Sequence, residues 1–158
     1  MKTDVASTAE TEIQLDRLVN EGKYEEVLHL LQHETFRKEF KSIVAEQDEK
    51  LNLEAAYRFC QYAISLQPEE VYFQKMAFSI AHGLSERYVS FKRKALTHLL
   101  NAIKMDKTDW KLKENALLFY DGGLLPEKFV KPFAEIVIRM DPTNRNALKV
   151  LEKELDVY

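Results

Sequence analysis

The chain has 158 residues, 46% of them hydrophobic and 31% charged, with a net charge of −3. That is enough apolar material for one domain with a core, and the charge balance excludes a global basic field drawing nucleic acid or an anionic membrane. The single cysteine, Cys60, excludes an internal disulfide or a cysteine metal framework, and no apolar run approaches the roughly 18 residues of a membrane span.

Four glycines and four prolines suit long helices with short connections. Val, Ile and Thr never alternate as a half-buried strand requires. Residues 1–9 are small and polar and read as a flexible lead-in, with no apolar stretch after Met1-Lys2-Thr3-Asp4 to suggest a signal peptide. A cytoplasmic protein is the expectation.

In chain order, Leu15, Leu18 and Val19 mark a first helix face ending near Glu21-Gly22. Tyr24, Val27, Leu28 and Leu31 follow at once at helical spacing, so Gly22 predicts a tight turn between antiparallel helices. Phe36, Phe40, Ile43 and Val44 give a third helix. Asn52 reads as the N-cap of a fourth, with the stripe Leu53, Ala56, Tyr57, Cys60, Ala63, Ile64 and an end at Pro68. Helix five carries Phe73, Met76, Ala77, Ile80, Ala81 and Leu84. Helix six carries Tyr88, Phe91, Ala95, Leu99, Ala102 and Ile103. Helix seven starts near Thr108, shows Leu112, Ala116, Leu117 and Tyr120, and stops at Asp121-Gly122-Gly123. Helix eight begins near Pro126 and shows Phe129, Val130, Phe133, Val137 and Met140. Pro132 lies six residues in, so the helix either kinks there or starts near Lys131. Thr143 or Asn144 caps helix nine, whose stripe is Ala147, Leu148, Leu151 and Leu155.

Three of these helices end alike: Ala63-Ile64-Ser65-Leu66-Gln67-Pro68, Ala102-Ile103-Lys104-Met105-Asp106-Lys107 and Val137-Ile138-Arg139-Met140-Asp141-Pro142. The endings recur at 39 and 35 residues, the mark of an array of helix pairs in which each amphipathic helix hides its stripe against its neighbours. The pairs span about 10–34, 35–67, 69–105 and 109–140. A helix at 144–157 closes the array, with Glu152, Lys153 and Glu154 on an outer polar face.

These segments resemble tetratricopeptide repeats, whose unit is a helix-turn-helix of about 34 residues. Gly22-Lys23-Tyr24-Glu25-Glu26-Val27 is similar to the family's inter-helix turn, Gly-Asp-Tyr-Asp-Glu-Ala. Ala56, Ala63 and Pro68 match the small residues and closing proline of its second helix. Ala95, Ala102 and Lys107 repeat that spacing, as do Val130, Val137 and Pro142. Asp141-Pro142-Thr143-Asn144 resembles the family's link most closely. The steps are uneven, 29 residues from Val27 to Ala56 and 39 from Ala56 to Ala95, and the first helices lack the family's Trp-Leu-Gly pattern. The resemblance implies one all-α domain over 10–158, with helix pairs stacked as a short right-handed superhelix and a concave face that binds a protein or peptide.

A subset of the family clamps a peptide's C-terminal carboxylate with Lys, Asn, Asn, Lys and Arg on successive first helices. Lys75 and Asn115 fall on two of those positions, but Ser79, Asn146 and Val150 fall on the other three. The resemblance therefore implies no such clamp, since Val150 has no donor. It leaves Lys75, Ser79, Asn115, Leu118 and Lys149 as the groove residues expected to contact a partner.

No cofactor and no catalysis are expected. His29 and His33 have metal-compatible i, i+4 spacing on helix two, but without a third ligand beyond Glu34 they read as exposed polar residues. His82 and His98 stand singly. Cys60 lies on an apolar stripe and reads as a small core residue. Gly122-Gly123 lacks the Lys-Ser or Lys-Thr of a phosphate loop. Arg87, Lys92, Arg93 and Lys94, interleaved with Tyr88 and Phe91, form a basic cluster that could contact a phosphate or acidic segment, but the mildly acidic chain favours reading it as a solvated helix start. The expected function is a protein- or peptide-binding scaffold without a nucleic-acid or membrane partner. The alternatives are a homodimer formed through the N-terminal helix pair, or a small bacterial tetratricopeptide chaperone holding a partner segment.

Overall fold

The computed structural model describes residues 15–46 and 49–156, with side chains as far as Lys153. The lead-in at 1–9, the expected first-helix residues 10–14, and the side chains of Glu154 and Leu155 lie outside that description. Among the described residues there are nine helical stretches and no strand. They are α1 (15–20), α2 (Tyr24–Leu30), α3 (Glu34–Ala45), α4 (Leu53–Leu66), α5 (Val71–Leu84), α6 (Phe91–Met105), α7 (Trp110–Leu117), α8 (Glu127–Met140) and α9 (Arg145–Asp156). By internal contacts the chain forms two compact units, Met1–Ala95 and Leu96–Tyr158, with α6 crossing the boundary.

In the first unit α4 packs along α5, α2 against α4, and α3 against α5. Four residues join α4 to α5, so these two helices run antiparallel. Phe59 of α4 is fully buried at the centre of this unit. Its ring centroid lies 5.9 Å from Tyr24 of α2, 5.9 Å from Phe40 of α3 and 6.1 Å from Phe73 of α5. Four helices thus share one aromatic centre, with tilted and edge-on rings as the ring quadrupole favours.

Arg37 staples α3 to α5 beside this core. Its Nε donates to the Leu31 carbonyl at 2.6 Å, and its Nη1 lies 3.3 Å from Glu70 Oε1. The guanidinium stands 4.6 Å from the centre of the Tyr72 ring, whose hydroxyl donates to the Arg37 carbonyl at 3.1 Å. Glu70 also accepts from the Tyr72 amide, so one carboxylate caps α5 and holds the arginine. The two residues before α2 turn the chain with two hydrogen bonds, Gly22 N to Val19 O at 3.0 Å and Lys23 N to Leu18 O at 2.9 Å. That is a Schellman closure, and Gly22 takes the positive φ of 77° it requires.

In the second unit α7 packs on α8, α8 on α9, and α7 also meets α9. Asn144 fixes the start of α9: its Oδ1 accepts from the Ala147 amide at 3.0 Å, while its Nδ2 donates to Glu114 of α7 at 2.5 Å. Thr143 does not cap. Its hydroxyl donates to Asp141 Oδ1 at 3.0 Å.

The three similar helix endings carry one local geometry. Each is followed by a link of four residues, 67–70, 106–109 and 141–144, before the next helix. The first link amide returns to the carbonyl four residues back in every case: Gln67 to Ala63 at 2.8 Å, Asp106 to Ala102 at 2.8 Å, Asp141 to Val137 at 2.7 Å. The last link residue, Glu70, Asp109 or Asn144, accepts from an amide of the new helix. Asp106 and Asp141 each hold the Thr two residues on by both its amide and its hydroxyl.

Several expectations shift. Asn52 caps α4 as expected, accepting from the Ala55 amide at 3.1 Å. Tyr88 lies outside α6, which starts at Phe91. Helix seven ends at Leu117 rather than near Asp121, because Leu118, Phe119 and Tyr120 bond to carbonyls three residues back and tighten the turn. Tightening buries Phe119 and leaves Tyr120 half-buried. A second Schellman closure ends this segment at Gly123, whose φ is 72°. Helix eight starts at Glu127, not near Lys131, and Pro132 sits inside it. Pro132 is exposed, so the missing bond to the Lys128 carbonyl lies on the solvent side of α8.

Candidate functional site

Lys75 and Ser79 lie one turn apart on α5, with His82 a further turn along on the same face. Ser79 is exposed and Lys75 half-buried. The facing residues of α3, Lys41 and Ala45, are also one turn apart and exposed. Between the two helices opens a cleft of about 210 Å³, walled by Val44, Ala45, Met76, Phe78 and Ser79 together with Lys41 and His82. Val44 and Met76 are buried and supply an apolar floor. Phe78 stacks with His82 across one turn, with centroids 5.8 Å apart and planes at 25°. The cleft offers apolar contact below with a hydroxyl and an amine beside it, which suits one apolar side chain of a partner segment.

Of the five expected groove residues, Ser79 lines this cleft and Lys75 stands one turn before it. Asn115, Leu118 and Lys149 belong to the second unit. Asn115 is half-buried on α7. Leu118, just past the end of α7, is 55% exposed. Lys149 of α9 lies 3.4 Å from Asp121 Oδ2, and Lys153 Nζ lies 3.6 Å from the other oxygen. Lys153 also stands 5.5 Å from the centre of the Tyr120 ring. These are exposed ion pairs of about 0–1 kcal/mol, weak enough for a partner to displace. Val150, where a carboxylate clamp needs arginine, is a core residue.

A larger hollow of about 610 Å³ escaped sequence reasoning. It is bordered by the turns at Lys50–Asn52 and Glu86–Tyr88, with Asn20 holding the first turn by hydrogen bonds to Lys50 O (2.6 Å) and Asn52 N (2.8 Å). No motif marks it, because it is made where two loops meet.

His33 is not on α2 with His29. It is the residue before α3, and the two rings lie edge to face with centroids 6.5 Å apart. The single-face ligand geometry is therefore lost, and among the described residues no group of three His, Cys, Asp or Glu is placed to hold a metal. Burial pushes the His98 imidazole below its usual range, favouring the neutral form.

Cys60 is fully buried, and burial drives its thiol far above the usual range. The thiolate that attacks alkylating agents is therefore suppressed. Iodoacetamide at pH 8 is expected to leave the native protein unmodified over a time that fully alkylates it in guanidinium, read as mass added. Rapid labelling of the native chain would mean that Cys60 is reachable. No protein-family model matches the chain, and no curated protein or solved structure matches it.

Proposed function

We propose that this chain is a protein-binding module built from tetratricopeptide-like helix pairs, which holds a segment of a partner protein and performs no catalysis itself. The cleft between α3 and α5 carries the reading: it combines an apolar floor with exposed polar residues at the face where the resemblance puts a partner. The recurring four-residue link and the contacts of α2 with α4, α3 with α5 and α7 with α9 support a repeating array. Self-association through the N-terminal pair has less support, because Leu15, Leu18, Val19, Val27 and Leu31 are buried within the chain itself.

Selection of a displayed random-peptide library on the wild-type protein tests this. Peptides enriched on the wild type are expected to lose about tenfold or more in affinity on Ser79→Trp and Ala45→Trp, which fill the cleft while retaining the helical circular dichroism signal. Peptides indifferent to both changes, or no enrichment at all, would refute the reading.

A further inference from the structure

A second surface in the first unit has a different character. Residues 87–94 carry four cations, Arg87, Lys92, Arg93 and Lys94, and no carboxylate. The described residues of 15–46 and 49–86 hold eight basic against twelve acidic side chains, a net of −4. A run of cations therefore sits on an acidic body, with Glu86 before it and Glu49 and Glu54 lining the same hollow as Arg87. At its centre Val89 is 80% exposed, more than any other large apolar side chain described, and Tyr88 beside it is 46% exposed.

This segment is held in place. The amides of Arg87 and Tyr88 donate to the Leu84 carbonyl at 3.1 and 2.9 Å, and those of Phe91 and Lys92 donate to Tyr88 and Val89 at 3.0 Å each. Phe91 sets its ring edge-on to Tyr57 at 5.2 Å, Lys94 lies 4.5 Å over Phe91, and Tyr88 leans on Phe91 at 6.2 Å. An apolar side chain fixed outward among cations presents a preformed contact, with little ordering left to do on binding. The charges do not serve the helix either, since three successive cations in the first turns of α6 oppose its dipole.

We infer that residues 87–94 dock a short acidic protein segment carrying an aliphatic or aromatic residue among its carboxylates. The apolar residue covers Val89 and Tyr88, and the carboxylates meet Arg87 and Lys92, both exposed. The acidic body selects this occupant over an anionic bilayer. A wide negative plane would lie within the Debye length of about 8–10 Å of that body and be repelled, whereas a short segment meets chiefly the run of cations. The inference is independent of the cleft between α3 and α5.

The probe is a fluorescein-labelled peptide, Glu-Asp-Glu-Leu-Glu-Phe-Asp-Glu, followed by fluorescence anisotropy. Binding is expected to saturate, to weaken as salt rises, and to weaken by about tenfold or more when serine replaces its Leu and Phe. Val89→Asp and the double change Arg87→Glu, Lys92→Glu are each expected to weaken it about tenfold or more. A carboxylate at position 92 suits the start of α6 better than a lysine, and the helical circular dichroism signal of each variant checks that the fold is kept. The inference is overturned by no saturable binding, by equal binding to both variants, or by vesicles of phosphatidylserine and phosphatidylcholine in equal parts binding where the peptide does not.

Discussion

Phe59→Ala is expected to lower the unfolding free energy by about 3–5 kcal/mol. The ring is fully buried and meets aromatic rings of three other helices within 6.1 Å. Removing it takes away the burial of a large apolar group and leaves a void that Tyr24, Phe40 and Phe73, anchored on separate helices, cannot collapse to fill together. Each lost ring pair adds about 0.5–1.5 kcal/mol beyond area, which puts the effect toward the upper end. A domain of this size has a net stability of about 5–15 kcal/mol, so the change consumes a large share. Guanidinium unfolding followed by circular dichroism measures it. A loss of less than about 1 kcal/mol would show that the ring is not the common centre of these helices.

The opposite sign is expected at Pro132. A proline inside a helix costs about 3 kcal/mol relative to alanine, through the absent donor and the crowding of the preceding turn. Here the position is exposed and six residues into α8, so no packing contact repays that cost. Pro132→Ala restores the bond to the Lys128 carbonyl. The more flexible unfolded chain gives back about 0.4–1 kcal/mol, leaving a net gain of about 2 kcal/mol. A rise in the unfolding midpoint at unchanged denaturant slope checks this. A fall would mean that α8 relies on a bend at Pro132 to fit α7 and α9.

Helix identity and the buried stripes were legible from spacing, because a period of 3.6 residues is written directly in positions such as Phe73, Met76, Ala77, Ile80 and Leu84, all of them buried. Caps that act through their own side chain were legible too: Asn52 and Asn144 behave as their chemistry requires. Less legible were features fixed by tertiary packing. The tightened turn after Leu117 follows from burying Phe119, and periodicity alone extends the helix through Tyr120. His33 falls off α2 because the chain breaks at Leu31, where no glycine or proline announces it. At the candidate site, Ser79 could be read from helix position, but its partners Val44 and Ala45 could not, since pairing α3 with α5 is a contact between helices distant in sequence. Val89 is not legible as a contact residue, because a lone valine in a basic stretch has no signature apart from its exposure.

The matching joints at 106–109 and 141–144 have an architectural consequence. The stretch from Lys107 to Asp141 enters and leaves through the same turn, with the same aspartate gripping the same threonine on either side. Such a stretch is a cassette: a tandem copy spliced at either joint meets a junction already compatible with its own ends. Growth of this chain by duplication, in nature or at the bench, needs no new connector to be invented.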